Sequence, residues 1–366
     1  NIGGGGFLVA HLSNGRSISI DFRETAPENA HRDMFIDKSG DVISNASLRS
    51  HSASGVSGSV AGLLMASFYG AWRIQSIEER VATSPTARVA VIQGNIDQAI
   101  KWDPAHQIAA IKTHQRLSLL TKSNNPDLIV WPESATPFYL FFDKRPTEMV
   151  MAGIEEGGID FLVGSPSVAR EGEKVIYFNS AYLISPETKN VSKYDKTHLV
   201  PYGEYVPFES WLPFLGKLVA QVGDFRAGKV GRTLPWRNEQ LGVQICYEVI
   251  FPNLSRKLVK NGAVLLINIT NDAWFKNSTG PYQHAQASVL RAVENRVPVV
   301  RVANTGLTCY ISPDGIIRGS VKERNREIMV TGYDIFDVTI ERIAKHDLVC
   351  IYREGHTPNL LAVFGV

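Results

Sequence analysis

Residues 242–275 read GVQICYEVIFPNLSRKLVKNGAVLLINITNDAWF. Val243–Cys246 is a short apolar run that reads as a strand. Leu254–Asn261 carries a helical pattern, and Val264–Ile269 is a second strand that ends in a polar loop. Apolar strands alternating with helices predict an α/β layered fold. The alternation continues on both sides. Upstream, strands are predicted at Arg88–Gln93, Leu128–Trp131, Phe161–Gly164 and Ser180–Ile184, with a helix over 146–156. Asp103 is placed as an N-cap with Pro104 at the first helical position, opening an amphipathic helix to about Lys122. Downstream come a helix at Gln283–Glu294 and strands at Val299–Ala303 and Cys309–Ser312, the last closing in the turn Pro313–Asp314–Gly315. No internal repeat is evident along the chain.

The first 57 residues differ, being rich in Gly, Ser and Asn. Phe7–Leu12 and Ser17–Phe22 are predicted strands joined at Ser13–Asn14–Gly15. Val60, Leu63, Leu64, Phe68, Trp72 and Ile77 fit a helical period over 58–80, and Thr83–Ser84–Pro85–Thr86 is a linker signal. The formal charge is only +2, with no basic run, which argues against a nucleic-acid partner. Three cysteines in 366 residues are no disulfide framework, and an odd number leaves at least one thiol free. No signal-peptide pattern is visible. The apolar stretch Val60–Tyr69 falls short of the ~18–20 residues that span a bilayer. The apolar run Asn359–Val366 breaks off at the last residue, so both ends read as cut.

Four places combine an apolar strand or a Pro/Gly turn with reactive side chains. Glu133 follows Leu128–Ile129–Val130, where a carboxylate is costly unless paired or working. It is a general base, or it caps the next segment. Lys196 lies in YDKTHLVPYGEYVPF, eight residues before Glu204. It stabilises developing negative charge, or it forms a surface ion pair. Cys246 ends its strand before a turn, the place of a nucleophile or of an inert core thiol. Asn268–Phe275 is suited to holding a substrate or simply to turning the chain. The three residues Glu133, Lys196 and Cys246 lie at strand ends in separate units, where such folds bind ligands. Cys309 and Cys350 lack such neighbours and read as structural. The histidines show no metal-ligand spacing, and His198 and His284 read as site-lining or structural.

The stretches VAVIQGNIDQAIKWDP, IVWPES, YDKTHLVPYGEYVPF, GVQICYEVIFP, LINITNDAWF, GPYQHAQASVLRAVENRVPVVRVANTG and ISPDG resemble the nitrilase, or carbon–nitrogen hydrolase, superfamily, and within it the apolipoprotein N-acyltransferases. The resemblance runs from about Arg88 to Tyr352. It implies a four-layer αββα sandwich with Glu133 as general base, Lys196 as oxyanion stabiliser and Cys246 as nucleophile. It also implies supporting roles for Glu204, Tyr247 and Glu248, and substrate contacts from Trp131, Asn179, Asn271 and Trp274. No metal and no cofactor are implied. The implied reaction moves an acyl chain from a phospholipid donor, through a cysteine thioester, to the amine of a diacylglyceryl-cysteine on an apolipoprotein. The implied location is the bacterial inner membrane, with the catalytic domain on its periplasmic face.

Residues 1–64 instead resemble γ-glutamyltranspeptidase, as a small irregular α+β fragment in which Arg23 matches a carboxylate-binding arginine. The expected organisation is therefore this fragment at 1–64, a helix and linker at 65–86, the catalytic domain at 87–345, and the start of a membrane segment at 346–366. A soluble nitrilase-type amidase and an inactive fusion are the competing readings.

Overall fold

In strand β3 (Thr86–Gln93), Val89 and Val91 face one way and Ala90 and Ile92 the other, and all four are fully buried. Side chains alternate across a strand, so both faces of this one must be covered. The same division runs through β4 (Leu128–Val130), where Leu128 and Val130 join the first pair and Ile129 the second. In β10 (Ala263–Thr270), Leu265, Ile267 and Ile269 join the first pair, whereas Leu266 turns to a separate cluster. This parity builds four layers in the computed structural model, which describes residues 7–11, 17–21, 56–97, 103–205, 225–275, 278–321 and 331–340.

One sheet runs in the order β14 (Gly332–Thr339), β3, β4, β5 (Asp160–Glu171), β6 (Lys174–Ser185), β7 (Asn190–Asp195). The other runs β13 (Ile317–Ser320), β12 (Cys309–Ile311), β11 (Val299–Ala303), β10, β9 (Glu239–Ile245), β8 (Leu234–Trp236). Their facing sides form the central core, from Val89, Val91 and Leu162 to Val243, Ile245 and Ile267. Helices α2 (Pro104–Thr121) and α3 (Lys144–Gly157) cover the first sheet through Ile111, Leu117, Val150 and Ile154. Helices α4 (Pro252–Lys260) and α5 (Gly280–Asn295) cover the second through Leu258, Val259 and Ala292. Each fully buried Val, Leu or Ile contributes about 1.5–3 kcal/mol, so the three apolar layers dominate stability.

The two sheets repeat one pairing pattern. In the first, β3, β4 and β5 are parallel, β14 is antiparallel at one side, and β6 and β7 are antiparallel at the other. In the second, β9, β10 and β11 are parallel, β8 is antiparallel at one side, and β12 and β13 at the other. The sequence carries no repeat that announces this, because parity and crossover helices, rather than residue identity, define each half.

Most predicted elements are present. Asp103 caps α2 by accepting from Ala105 N at 2.9 Å. Four strands were not predicted: β7, β8, β13 and β14. They lie at the sheet margins, where only one face is buried and the apolar signal is thin; β13 has no buried residue. The strand predicted at Phe161–Gly164 is the first third of β5, which pairs with β6 from Phe161 to Glu171. The predicted strand ending at Cys246 stops one residue earlier, and Cys246 opens a 3-10 turn, Cys246–Ile250.

The chain divides into two units, Asn1–Glu79 with Ala344–Val366, and Arg80–Ile343. The smaller unit contains the antiparallel pair β1 (Phe7–His11) and β2 (Ser17–Asp21), as predicted, and most of helix α1 (Val56–Thr83). Between α1 and β3 only Ser84 and Pro85 intervene. Among the described residues no helix is long and apolar enough to cross a membrane. Arg23, Cys350 and the segment 346–366 lie outside the described residues.

Candidate active site

The site forms where the parallel strands end. The loops after β3, β10 and β11 are stitched to one another there. Asn304 accepts from Ile96 N at 3.0 Å, donates to Ile96 O at 2.9 Å and donates to Asn271 Oδ1 at 3.1 Å. Because Ile96 follows a strand of one sheet and Asn304 a strand of the other, these bonds fix the two sheets to each other at the site.

Glu133 follows β4. Its loop lies directly on β5, and Gly164 makes that possible: a Cβ there would meet Pro132 O at 2.2 Å. Lys196 follows β7. Its N–H donates to Asn179 O and its carbonyl accepts from Gly228 N, both at 2.8 Å. Gly228 is likewise required, since a Cβ would meet Asp195 O at 2.3 Å. The Lys196 side chain is 1% exposed, and its Nζ lies 2.9 Å from Glu204 and 3.8 Å from Glu133. Asn179, on β6, donates to Glu133 Oε1 at 2.9 Å and to Glu204 Oε1 at 2.8 Å. Two carboxylates thus share a site that would repel itself without the ammonium and the amide between them. Glu204 is held by Val200 N, which donates to its Oε2 at 2.9 Å.

Cys246 has φ +55°, a left-handed conformation that only glycine adopts without strain. Burial pushes its thiol up to about 12, Glu133 adds to the rise, and Lys196 and the Thr270 hydroxyl pull against it. Burial alone would lower the Lys196 ammonium; Glu133, Cys246 and Glu204 outweigh it and hold the value above that of an ordinary lysine. The upward direction at Cys246 predicts a protonated resting thiol. The wild type minus Cys246→Ala difference spectrum should show no thiolate absorbance at neutral pH, with the band growing in only as the pH climbs toward 12. A full thiolate band at neutral pH would contradict this.

Glu248 is fully buried and gathers donors from two directions. Tyr194 Oη (3.0 Å), Thr197 N (2.6 Å), Thr197 Oγ1 (2.7 Å) and His198 N (3.1 Å) come from the end of β7 and the lysine loop after it. Ile245 N (2.7 Å) comes from the residue before the cysteine. One carboxyl group therefore ties the Lys196 loop to the Cys246 turn.

Other expected site residues have different surroundings. Trp131, expected to contact substrate, is 1% exposed and packs in the helix-facing core against Phe161 and His114, donating its Nε1–H to Ser118 Oγ at 2.9 Å. It follows a buried strand whose outward face meets α2. Asn271 is buried in the loop stitching, whereas Tyr247 and Trp274 are exposed beside the cysteine turn and after β10. Arg301 was not singled out in the sequence, and Asp272 only as part of its loop. A lone arginine within Val299–Ala303, an otherwise apolar strand, was the available signal.

The profile of the carbon-nitrogen hydrolase family matches residues 88–339, more than half of the chain. The chain belongs to the carbon-nitrogen hydrolase family. The γ-glutamyltranspeptidase profile matches residues 1–82, including most of α1, so two family matches meet in one chain. Relatives of the carbon-nitrogen hydrolase part include the apolipoprotein N-acyltransferase of Geobacter metallireducens, 49% identical over 63% of this chain and 45% of that protein. The apolipoprotein N-acyltransferase of Brucella suis is 36% identical over 69% and 49%. The chain thus spans about half the length of these curated relatives. Among solved structures, Saccharomyces cerevisiae Nit3, of the nitrilase superfamily, superposes with a TM-score of 0.54 at 18% identity, covering 71% of this chain and 92% of that one. XC1258 from Xanthomonas campestris, a CN-hydrolase superfamily protein, gives 0.51 at 18%, covering 69% and 90%. These two likenesses establish the αββα fold of this carbon-nitrogen hydrolase family member.

Proposed function

We propose that this chain carries the catalytic domain of an apolipoprotein N-acyltransferase, with Cys246 as nucleophile, Glu133 as general base and Lys196 as oxyanion stabiliser. The observation that carries the chemistry is a buried ammonium held between two carboxylates beside a cysteine in a strained turn. Glu133 takes the Cys246 proton as Sγ attacks the ester carbonyl of a phospholipid. Lys196 Nζ balances the negative oxygen of the tetrahedral intermediate. The C–O bond then breaks, the leaving alkoxide takes the proton from Glu133, and a thioester remains. In the second half the α-amine of a diacylglyceryl-cysteine attacks the thioester. Glu133 accepts the amine proton and returns it to the departing sulfur. Asn179 and Glu204 hold the base and the ammonium in register throughout.

A protonated resting thiol suits this sequence, because proton removal and attack then occur together on a bound ester. Exposed aromatics on the site loops support an apolar donor: Phe142 in the loop after Glu133, Tyr202 beside Glu204, Tyr247 beside the cysteine, and Trp274 at 71% exposure. The relatives' name supports an apolipoprotein as acceptor; the place of reaction that goes with this reading is the periplasmic face of the bacterial inner membrane.

The test is transfer of a radiolabelled acyl chain from phospholipid to a diacylglyceryl-cysteine peptide in mixed micelles. Label should move to the peptide with wild type and not with Cys246→Ala. Ammonia release from small amides without any transfer would overturn the reading in favour of an amidase.

A further inference from the structure

Behind the cysteine lies a second buried cluster that the acyl-transfer chemistry does not use. Asp272, His284 and Arg301 are each at most 5% exposed. Arg301 Nη2 donates to Asp272 Oδ2 at 2.6 Å, and its Nη1 donates to Asn268 Oδ1. His284 Nδ1 lies 2.9 Å from Asp272 Oδ1 and 3.1 Å from Arg301 Nη2. Thr270 Oγ1 also donates to Asp272 Oδ1, at 3.0 Å. The histidine's other nitrogen, Nε2, lies 3.2 Å from the carbonyl oxygen of Cys246, which also accepts from Asn268 Nδ2 at 3.2 Å.

A carbonyl oxygen only accepts, so the contact is a hydrogen bond only if Nε2 carries the proton. The peptide unit is planar and trans, so fixing the Cys246 carbonyl also fixes the N–H of Tyr247 on the opposite edge. It further holds the left-handed turn at Cys246, which nothing in that residue's own preferences favours. We propose that His284 is a positioning residue: Arg301 Nη2, held by Asp272, is a donor only and turns to Nδ1, so the ring proton sits on Nε2, and this Nε2–H locks the Cys246–Tyr247 peptide so that its backbone N–H is available to an oxyanion opposite Lys196. The cluster thus serves the stage at which charge appears on the substrate oxygen, rather than the nucleophilicity of the thiol. This rests on Cys246 being the acylated residue.

Two reactions of the same sulfur separate these roles. Acylation by a p-nitrophenyl acyl ester passes through an oxyanion, whereas alkylation by iodoacetamide does not. His284→Leu is expected to slow single-turnover acylation about 30-fold, with half-saturating ester concentration little changed. Alkylation of Cys246, followed by peptide mass spectrometry, should change less than about threefold, and His284→Gln, which keeps a donor near the Nε2 position, should restore most of the acylation rate. Equal slowing of both reactions without recovery in His284→Gln would mark a merely structural residue and overturn the proposal, as would unchanged acylation in His284→Leu. If the leucine variant does not fold, the wild type decides: a two-bond 15N–1H spectrum of histidine-labelled protein, with His284 assigned by its loss in His284→Gln, must show a protonated Nε2. A bare Nε2 overturns the proposal. Wild type that alkylates at Cys246 yet accepts no acyl group overturns the acyl-transfer reading instead, and the same spectrum still decides the role of His284.

Discussion

Lys196→Met is expected to lower acylation of Cys246 by about a thousandfold, the scale seen when a buried oxyanion donor is removed. The loss has two sources. The substrate oxygen loses its cation, and Glu133 and Glu204 lose the charge that lies 3.8 and 2.9 Å from them. Breaking a buried pair by deleting one partner typically costs about 3–5 kcal/mol, so the urea midpoint should fall as well. The double variant Lys196→Met/Glu204→Gln should regain part of that stability and none of the rate. Single-turnover acylation and urea unfolding on the three proteins check this; a single variant retaining a tenth of the rate would remove Lys196 from the chemistry. The pH dependence has a definite sign. The folded-state value of Lys196 is raised, so its contribution is fully present below the ordinary lysine pKa of about 10.4 and is lost only as the pH rises through the raised value.

Glu248→Ala should destabilise the fold by about 3–5 kcal/mol, because buried donors are left without an acceptor. Those donors belong to Tyr194, Thr197, His198 and Ile245. Activity should fall with it, since the lysine loop and the cysteine turn are tied through this carboxyl. Glu248→Gln keeps one acceptor oxygen and should lie between. Thermal unfolding monitored beside acylation measures both. Burial holds Glu248 above the usual carboxylate range despite its hydrogen bonds from Ile245 and Thr197. A raised carboxyl makes stability decline as pH rises from the ordinary glutamate value through the raised one, a slope that Glu248→Gln should lack. An alanine variant as stable as wild type would contradict the clamp.

How much of this was written in the sequence follows from burial. Strands covered on both faces must be apolar at successive positions, so Val89–Ile92, Leu128–Val130 and Leu265–Ile267 announced themselves. The end of β4 was then visible as sudden polarity at Glu133, and the apolar run Val243–Cys246 likewise marked Cys246 from local pattern. Lys196 was harder, because β7 is half exposed and its burial arises from residues far along the chain. Asn179 sits inside a long antiparallel hairpin where nothing local distinguishes it. The same limit hid the Asp272–Arg301 pair, whose partners are separated by 29 residues and meet only when β10 and β11 pair. Trp131 adjoins the site in sequence, but strand alternation turns its ring to the helices.

The register of β14 against β3 bears on how the chain reaches this state. All eight residues of β14 pair with β3, and Arg88 meets Asp337 across 249 residues of chain. On a ribosome, β3 leaves the exit tunnel long before its neighbour on that side has been made. Until then its flank offers unsatisfied amide and carbonyl groups to any extended chain nearby. Closure over so long a loop is slow, and such an open flank is prone to association during the wait. The first sheet is thus begun early and finished last, with the whole second half of the sandwich synthesised in between.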